Sequence, residues 1–374
     1  MSEVQNRPAW YTKLTIILAG ISLLVFALIQ ASSILIPFLF AVFLSILLAP
    51  FAGFLEKYRV PRFLSSVLSV IVGIIFLGGV LFFFYNQIVN LAQDVSLLEA
   101  RINELFERFS GFFVTWFDVD PDTQLQTLEQ AIVSFLRDNA DQLTRGVLTA
   151  ATTLTMFFLI PIYIFLMLLY RDFLYDFFVM ALARHNDNNR VESLLFKIRS
   201  VVQNYISGMF LVICILAVLN VLTLMTIGVD HALFFGVFAA VLNVIPFLGP
   251  IIGSILPIIY ALLTMDSLWY PVAILAAFYV IQLFESNLFT PLIVGSRVSL
   301  NPLVTLLAIF IGGKIWGLAG MILFIPALAM LKEVFDDVES LRPYGYLLGR
   351  VKTREQTQTE YVQKLTSTGH KQNP

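Results

Sequence analysis

An almost uninterrupted apolar block, from Tyr205 to about Leu331, constrains the fold of this chain more than any other feature. With the apolar runs before it, the block makes 59% of the chain hydrophobic and leaves 13% charged. A soluble domain is about half apolar and about a quarter charged. Because this surplus of apolar side chains has no stable place in water, and the runs are long enough to span a bilayer, the sequence predicts an all-α polytopic membrane protein.

The apolar runs divide the chain into segments. The first run, Leu14–Ile29, follows Arg7 and Lys13 as a signal peptide would. It is longer than a usual signal core, and another apolar run follows almost at once, so we interpret it as an uncleaved span. The predicted segments are an N-terminus at 1–13, spans one to three at 14–85, a polar section at 86–146, span four at 147–170, a polar loop at 171–202, a transmembrane block at 203–331 and a tail at 332–374.

The charges predict the orientation of these segments. The polar section at 86–146 carries four basic and ten acidic residues, whereas the N-terminus, the 171–202 loop and the tail are rich in Lys and Arg. Lysine and arginine near span ends favour the cytoplasmic side. We therefore expect both termini and the loop in the cytoplasm and the acidic section outside.

The external section contains a heptad-like pattern. From Ile88 to Phe109, apolar residues recur at spacings of three and four, and a second, shorter series begins at Leu125. Such a seam is typical of packed helices. We predict an extracytoplasmic helical hairpin that extends from spans three and four. Two interpretations stay open: the two helices pair with each other, or the 88–109 seam joins subunits of a homo-oligomer.

Proline and glycine interrupt the apolar block at Asn243–Pro257. The interrupting residues are Pro246, Gly249, Pro250, Gly253 and Pro257. In hydrocarbon, a broken backbone is tolerated only inside protein or along a wet cavity, and interrupted apolar segments are a pointer to a transporter's binding site. The alternative is a structural kink between packed helices.

A second interruption, Gly312–Gly317, divides the last apolar run, 302–331. A single long helix there would end on the opposite side from the basic tail. A hairpin of two half-helices that enters and leaves from the cytoplasm fits better. The sequence then predicts about eight membrane segments, including broken or re-entrant helices.

Two ionisable residues lie within apolar segments, where such residues are rare and functional by default. Glu285 shares a helical face with Gln282, and Asn287 is close in sequence. Lys314 follows the Gly-Gly break. Glu285 could carry a coupling proton, pair with Lys314 or contact a polar solute. Alternatively, Glu285 marks the cytoplasmic end of a span and Lys314 extends to the interface.

Enzymatic motifs are missing from the sequence. Gly312-Gly313-Lys314 lacks the upstream glycine and the hydroxyl residue of a phosphate-binding loop, and neither His-Glu-x-x-His nor Gly-x-Ser-x-Gly occurs. The three histidines fall in predicted loops or the tail, and the one cysteine cannot form an internal disulfide. The net charge of −2 gives no basic field for nucleic acid. We predict no enzyme, no cofactor, no metal and no nucleic-acid partner.

Short motifs in the C-terminal half form a further pattern. They are Tyr205-Ile-Ser-Gly208, Gly228, Asn243-Val-Ile-Pro-Phe-Leu-Gly-Pro-Ile-Ile-Gly253 with Pro257, Glu285-Ser-Asn287 with Pro291, Asn301-Pro302, and Gly312-Gly-Lys-Ile-Trp-Gly-Leu-Ala-Gly320 with Pro326. With these motifs the chain resembles the autoinducer-2 exporter family of bacterial inner-membrane proteins, over about residues 14–331. The resemblance implies about eight spans, cytoplasmic termini and a homo-oligomer. It also implies export of autoinducer-2 or, in some members, sodium/proton exchange.

We therefore predict a bacterial inner-membrane transporter that exports a small polar solute. The alternatives are a cation/proton antiporter that uses Glu285 and an oligomeric scaffold without transport. The expected partners are the lipid bilayer, further copies of the chain and a small polar solute or ions. The candidate pathway residues are Asn243, Pro246, Gly249, Pro250, Gly253, Gln282, Glu285, Asn287, Gly312, Gly313 and Lys314.

Overall fold

The computed structural model describes residues 10–93, 154–182, 188–294 and 300–349. All secondary-structure elements assigned within those ranges are helices. Six of the described helices are long and apolar enough to cross a membrane, or up to seven if one bent pair counts as a single span. The predicted all-α polytopic fold is confirmed. Most of the external section, and with it the predicted hairpin, lies outside the described residues, as does the tail after Gly349.

We number the described helices in chain order. They are α1 Trp10–Gln30, α2 Ser32–Lys57, α3 Arg62–Gln93, α4 Leu154–Leu169, α5 Arg171–Leu182, α6 Asn188–Ile227, α7 Ala232–Leu242, α8 Leu248–Thr264, α9 Trp269–Phe284, a π-helical turn Glu285–Phe289, α10 Thr290–Ile293, α11 Pro302–Asp337, a 3-10 turn Glu339–Leu341 and α12 Arg342–Leu348. They form two compact units. The first comprises Met1–Phe178 and Gln203–Gly295, and the second comprises Val179–Val202 and Ser296–Pro374.

One core of the first unit lies between α2, α3 and α4. Its buried apolar residues are Ala41, Ala52, Val70, Ile164 and Leu168. On α3, Ser65, Ser66 and Ser69 are fully buried. The Ser69 hydroxyl donates to the Ser65 carbonyl at 2.7 Å, which satisfies it within its own helix. Small hydroxyl residues of this kind let membrane helices approach closely.

A second core of the first unit joins α6, α7, α8 and α9 around Phe235, Tyr260 and Ile274. Ile88 and Leu91 of α3 pack against this core. They are the first two residues of the predicted 88–109 seam. Their side chains contact the chain's own core, and the intersubunit seam stays a prediction. The later seam residues lie outside the described part of the chain.

The first predicted break is shorter than Asn243–Pro257. The chain leaves helical geometry only between α7 and α8, and α8 then runs without interruption through Gly249 and Gly253. Pro250 sits in the first turn of α8, where its missing N–H has no helical partner to lose. The prediction of an open, broken segment over the full stretch is therefore wrong; the break is a tight turn between two helices.

Glycine allows α7 and α8 to touch backbone to backbone. A Cβ on Gly249 would lie 2.0 Å from the Leu242 carbonyl oxygen, and one on Gly253 would lie 2.8 Å from the Ala239 Cα. These two glycines therefore face α7 and make close helix packing possible.

The turn between α7 and α8 ends in a strained γ-turn. The Leu248 N–H donates to the Pro246 carbonyl at 2.8 Å, and Phe247 between them has φ 65° and ψ −47°. This turn is rare because a Cβ crowds the backbone at positive φ. Strain of this size, about 1–3 kcal/mol, persists where surrounding structure enforces it.

Replacing Phe247 tests this strain. We expect Phe247→Gly to have a free energy of unfolding about 1 kcal/mol above that of Phe247→Ala, because only glycine is free of the positive-φ penalty. Thermal unfolding in detergent measures the difference. Leu275 is a matched control, since it is exposed inside the helix α9, and there the glycine variant should be less stable than the alanine variant. The same order at both positions would contradict the γ-turn.

In the second unit, α11 reverses direction within its length. Trp316 and Gly317 leave helical geometry, and Gly317 has φ 60° and ψ −141°. Beyond this point the chain returns along itself, so that a Cβ on Gly320 would lie 1.9 Å from the Gly312 carbonyl oxygen. A straight helix would separate these two residues by about 12 Å. The chain therefore forms a hairpin of two half-helices here, whereas its entry from the cytoplasm stays a prediction.

Candidate functional site

The site is built around an irregular turn in the helix that carries Glu285. The Thr290 N–H donates to the Glu285 carbonyl five residues back, which is the bond of a π-helix. Pro291 follows, and it has no N–H for the ordinary helical bond. The helix continues to Ile293. Single π-turns inside α-helices occur frequently at functional sites.

Two side chains hold the Glu285 carboxylate. It accepts a hydrogen bond from Gln282 Nε2 at 2.7 Å and one from Thr290 Oγ1 at 2.5 Å. The predicted proximity of Gln282 is therefore present. Asn287 instead donates to the Leu283 carbonyl at 2.8 Å. Thr290 is not among the residues predicted for the site. Pro291 is the sequence signal for it, because proline promotes the π-turn that brings Thr290 to the carboxylate.

Both partners of this carboxylate are neutral. Among the described residues, no Lys, Arg or His forms an ion pair with Glu285. Its side chain is half-buried, and it lies within a 25-residue apolar helix, Trp269–Ile293. At membrane depth a carboxylate without a cation partner is costly and points to a functional role.

An apolar cluster places Glu285 at the junction of three elements. Its buried residues come from α6, α7 and the end of α10: Val212, Leu216, Ala240 and Val294. Ile281 and Phe289 pack against the cluster; they lie one helical turn before and one after Glu285. Gly208 brings α6 against α10, since a Cβ there would lie 3.1 Å from the Val294 Cα.

Asn243 lies at the α7 end of the same region. It follows the clustered Ala240 by three residues, so it continues the same side of the helix. The side chain is 5% exposed. Its amide makes no hydrogen bond with any residue that the structure describes. No fully buried side-chain nitrogen or oxygen atom lacks a partner in the described part of the chain, so the unpaired Asn243 amide keeps some access and has capacity for a polar ligand.

The remaining candidate residues stand in other settings. Pro246 is the first residue of the γ-turn, and Lys314 projects as an exposed side chain two residues before the reversal of α11. Lys314 forms no ion pair within the described ranges. Glu285 and Lys314 belong to different compact units, so their pairing stays a prediction. Gly312 and Gly313 contact the returning half of the α11 hairpin and serve its packing.

Metal ligands do not gather in the described ranges. No group of three or more His, Cys, Asp or Glu side chains there could hold a metal ion. The site offers one carboxylate, two amides and a hydroxyl, which act through hydrogen bonds and charge.

Comparisons with known proteins find transport proteins. The family model described as AI-2E family transporter matches residues 14–340. The chain is 28% identical to the candidate transport protein YrrI of Bacillus subtilis (strain 168) over 307 residues, which cover 80% of this chain and 85% of YrrI. It is 25% identical to the AI-2 transport protein TqsA of Escherichia coli (strain K12) over 346 residues, which cover 90% of this chain and 95% of TqsA.

Proposed function

This chain belongs to the AI-2E transporter family and is a multi-pass membrane transporter, and from that premise we propose that it exports a small polar solute resembling autoinducer-2. The Glu285 carboxylate carries the proposal, because it lies in an apolar helix with only neutral partners. The name of TqsA supports the solute class. Localisation to the bacterial inner membrane with cytoplasmic termini, and assembly as a homo-oligomer, belong to the same proposal.

The proposed contacts follow from the chemistry of the site. A hydroxylated solute donates to the Glu285 carboxylate and displaces Gln282 or Thr290, which then bind the solute's own oxygens. The amide of Asn243 supplies two N–H donors and a carbonyl acceptor. A few such groups in an otherwise apolar site fix orientation and specificity. Strain at Phe247 provides a turn that can rearrange as the solute passes.

Cation/proton exchange is the second candidate, and it is favoured because no described Lys, Arg or His pairs with Glu285. A desolvated carboxylate can bind a proton or a metal cation alternately. A scaffold without transport has less support, because the family is one of transporters.

Flux measurements in proteoliposomes test the proposal. Vesicles loaded with autoinducer-2 should lose it faster with the purified protein than without protein, and a sodium gradient should not move protons. Sodium-driven proton movement without autoinducer-2 efflux would contradict the export proposal and support cation/proton exchange. If neither flux exceeds that of protein-free vesicles, both candidates fail.

A further inference from the structure

The helix α5 departs sharply from the span that precedes it. Only Tyr170 separates α4 from α5, and the axes of Phe158–Leu169 and Arg171–Leu182 differ by 71°. If α4 crosses the bilayer near its normal, α5 runs close to the bilayer plane. The geometry alone leaves two possibilities: a helix on the membrane surface, or one that turns back into the bilayer.

Two ion pairs hold the start of α5 against the α2–α3 link. Arg171 pairs with Glu56 at the end of α2, and Asp172 pairs with Arg62 at the start of α3, with 2.5 Å between Oδ2 and Nη2. Ser65 donates a further hydrogen bond to Glu56 at 3.0 Å. These charged side chains are partly exposed, which suits the depth of the lipid headgroups and not the hydrocarbon.

The rest of α5 is apolar on every side but one. No residue of the helix is buried. Asp172 and Asp176 are one turn apart and define a narrow polar face. Large apolar side chains surround the remainder, and Phe173 is 66% and Phe177 51% exposed. Aromatic residues favour the boundary between headgroups and acyl chains.

We propose that α5 is an interfacial helix that lies in the bilayer plane and binds lipid through its aromatic face. Continuity with α4, which already contacts the bilayer, favours lipid over a second copy of the chain as the occupant. A turn back into the bilayer would carry Asp176, which forms no ion pair in the described part of the chain, into hydrocarbon. The ion pairs at Glu56 and Arg62 fix the depth at which the helix lies.

Site-directed spin labelling tests this placement. The single cysteine, Cys214, is exposed, so a Cys214→Ser background allows single labels at Leu174→Cys, Phe177→Cys, Phe178→Cys and Asp176→Cys. Each variant is reconstituted in vesicles of phosphatidylethanolamine and phosphatidylglycerol. Collision rates with oxygen, which enters lipid, and with a water-soluble nickel chelate report the depth of each label. Ile162→Cys on the exposed side of α4 serves as the deep control.

The expected result is a several-fold higher oxygen-to-nickel ratio at positions 174, 177 and 178 than at position 176, with all three shallower than position 162. Three outcomes would overturn the proposal. A depth that increases steadily along α5 indicates re-entry, exclusion of both reagents indicates cover by protein, and equal access of nickel everywhere indicates a helix off the membrane.

Discussion

In proteoliposomes, Glu285→Gln should slow transport about 10- to 100-fold. The amide keeps the size of the carboxylate but offers one acceptor and one donor, whereas Gln282 and Thr290 both donate to Glu285. One of them must therefore face an N–H group. Hydrogen bonds to a charged group contribute about 1.5–3 kcal/mol, and each 1.36 kcal/mol corresponds to about tenfold in rate. The rate of solute efflux at equal protein content measures the effect.

The control for this variant is Glu333→Gln. Glu333 is a half-buried carboxylate of the second unit that forms no ion pair within the described ranges, and its replacement should leave efflux unchanged. Unfolding temperatures of both variants must match that of the parent protein, so that a loss of flux is not a loss of fold. Unchanged efflux in Glu285→Gln would remove this carboxylate from the pathway. Loss of cation exchange alone would favour the second candidate function.

The sequence predicts part of this site and not the rest, for a geometric reason. Gln282 precedes Glu285 by three residues, and helical spacing alone places the two side chains together. Thr290 follows by five residues, which on an α-helix is a different face. Only the π-turn, with its extra residue, shifts Thr290 into reach of the carboxylate. The insertion depends on how the helix packs around Pro291, which periodicity does not encode.

The sequence does not reveal the structural role of the glycines in the apolar block. The sequence shows that Gly249 and Gly253 interrupt an apolar run, and an open backbone was the expected consequence. In the structure each glycine instead meets the backbone of α7. The partner helix explains the difference. Glycine destabilises an isolated helix, but it allows close packing where the backbone of a second helix approaches. The reversal at Trp316–Gly317 was easier, since the side of the basic tail required the chain to return.

The largest effect on stability is expected for Gly320→Ala. The new methyl group would lie 1.9 Å from the Gly312 carbonyl oxygen and 2.5 Å from the Gly312 carbonyl carbon. Both contacts are with backbone, which cannot rotate away as a side chain can. Overpacking of a tight contact costs about 1–3 kcal/mol and occasionally more, and this contact should lie at the upper end. We expect a marked fall in the unfolding temperature in detergent, or failure to purify as a folded protein.

Two other glycines serve as comparison positions, because a methyl group added there would contact a flexible side chain or nothing at all. At Gly313 the nearest atom is the terminal Cε of Met321, at 2.6 Å, and a flexible side chain can move aside, so Gly313→Ala should be mild. At Gly78, within α3, nothing lies within 4 Å, and Gly78→Ala should be neutral or stabilising by up to about 1 kcal/mol. The order of unfolding temperatures should be Gly78→Ala, then Gly313→Ala, then Gly320→Ala. If Gly320→Ala were as stable as Gly78→Ala, the two halves of α11 could not pack backbone to backbone, and the hairpin would have to be abandoned.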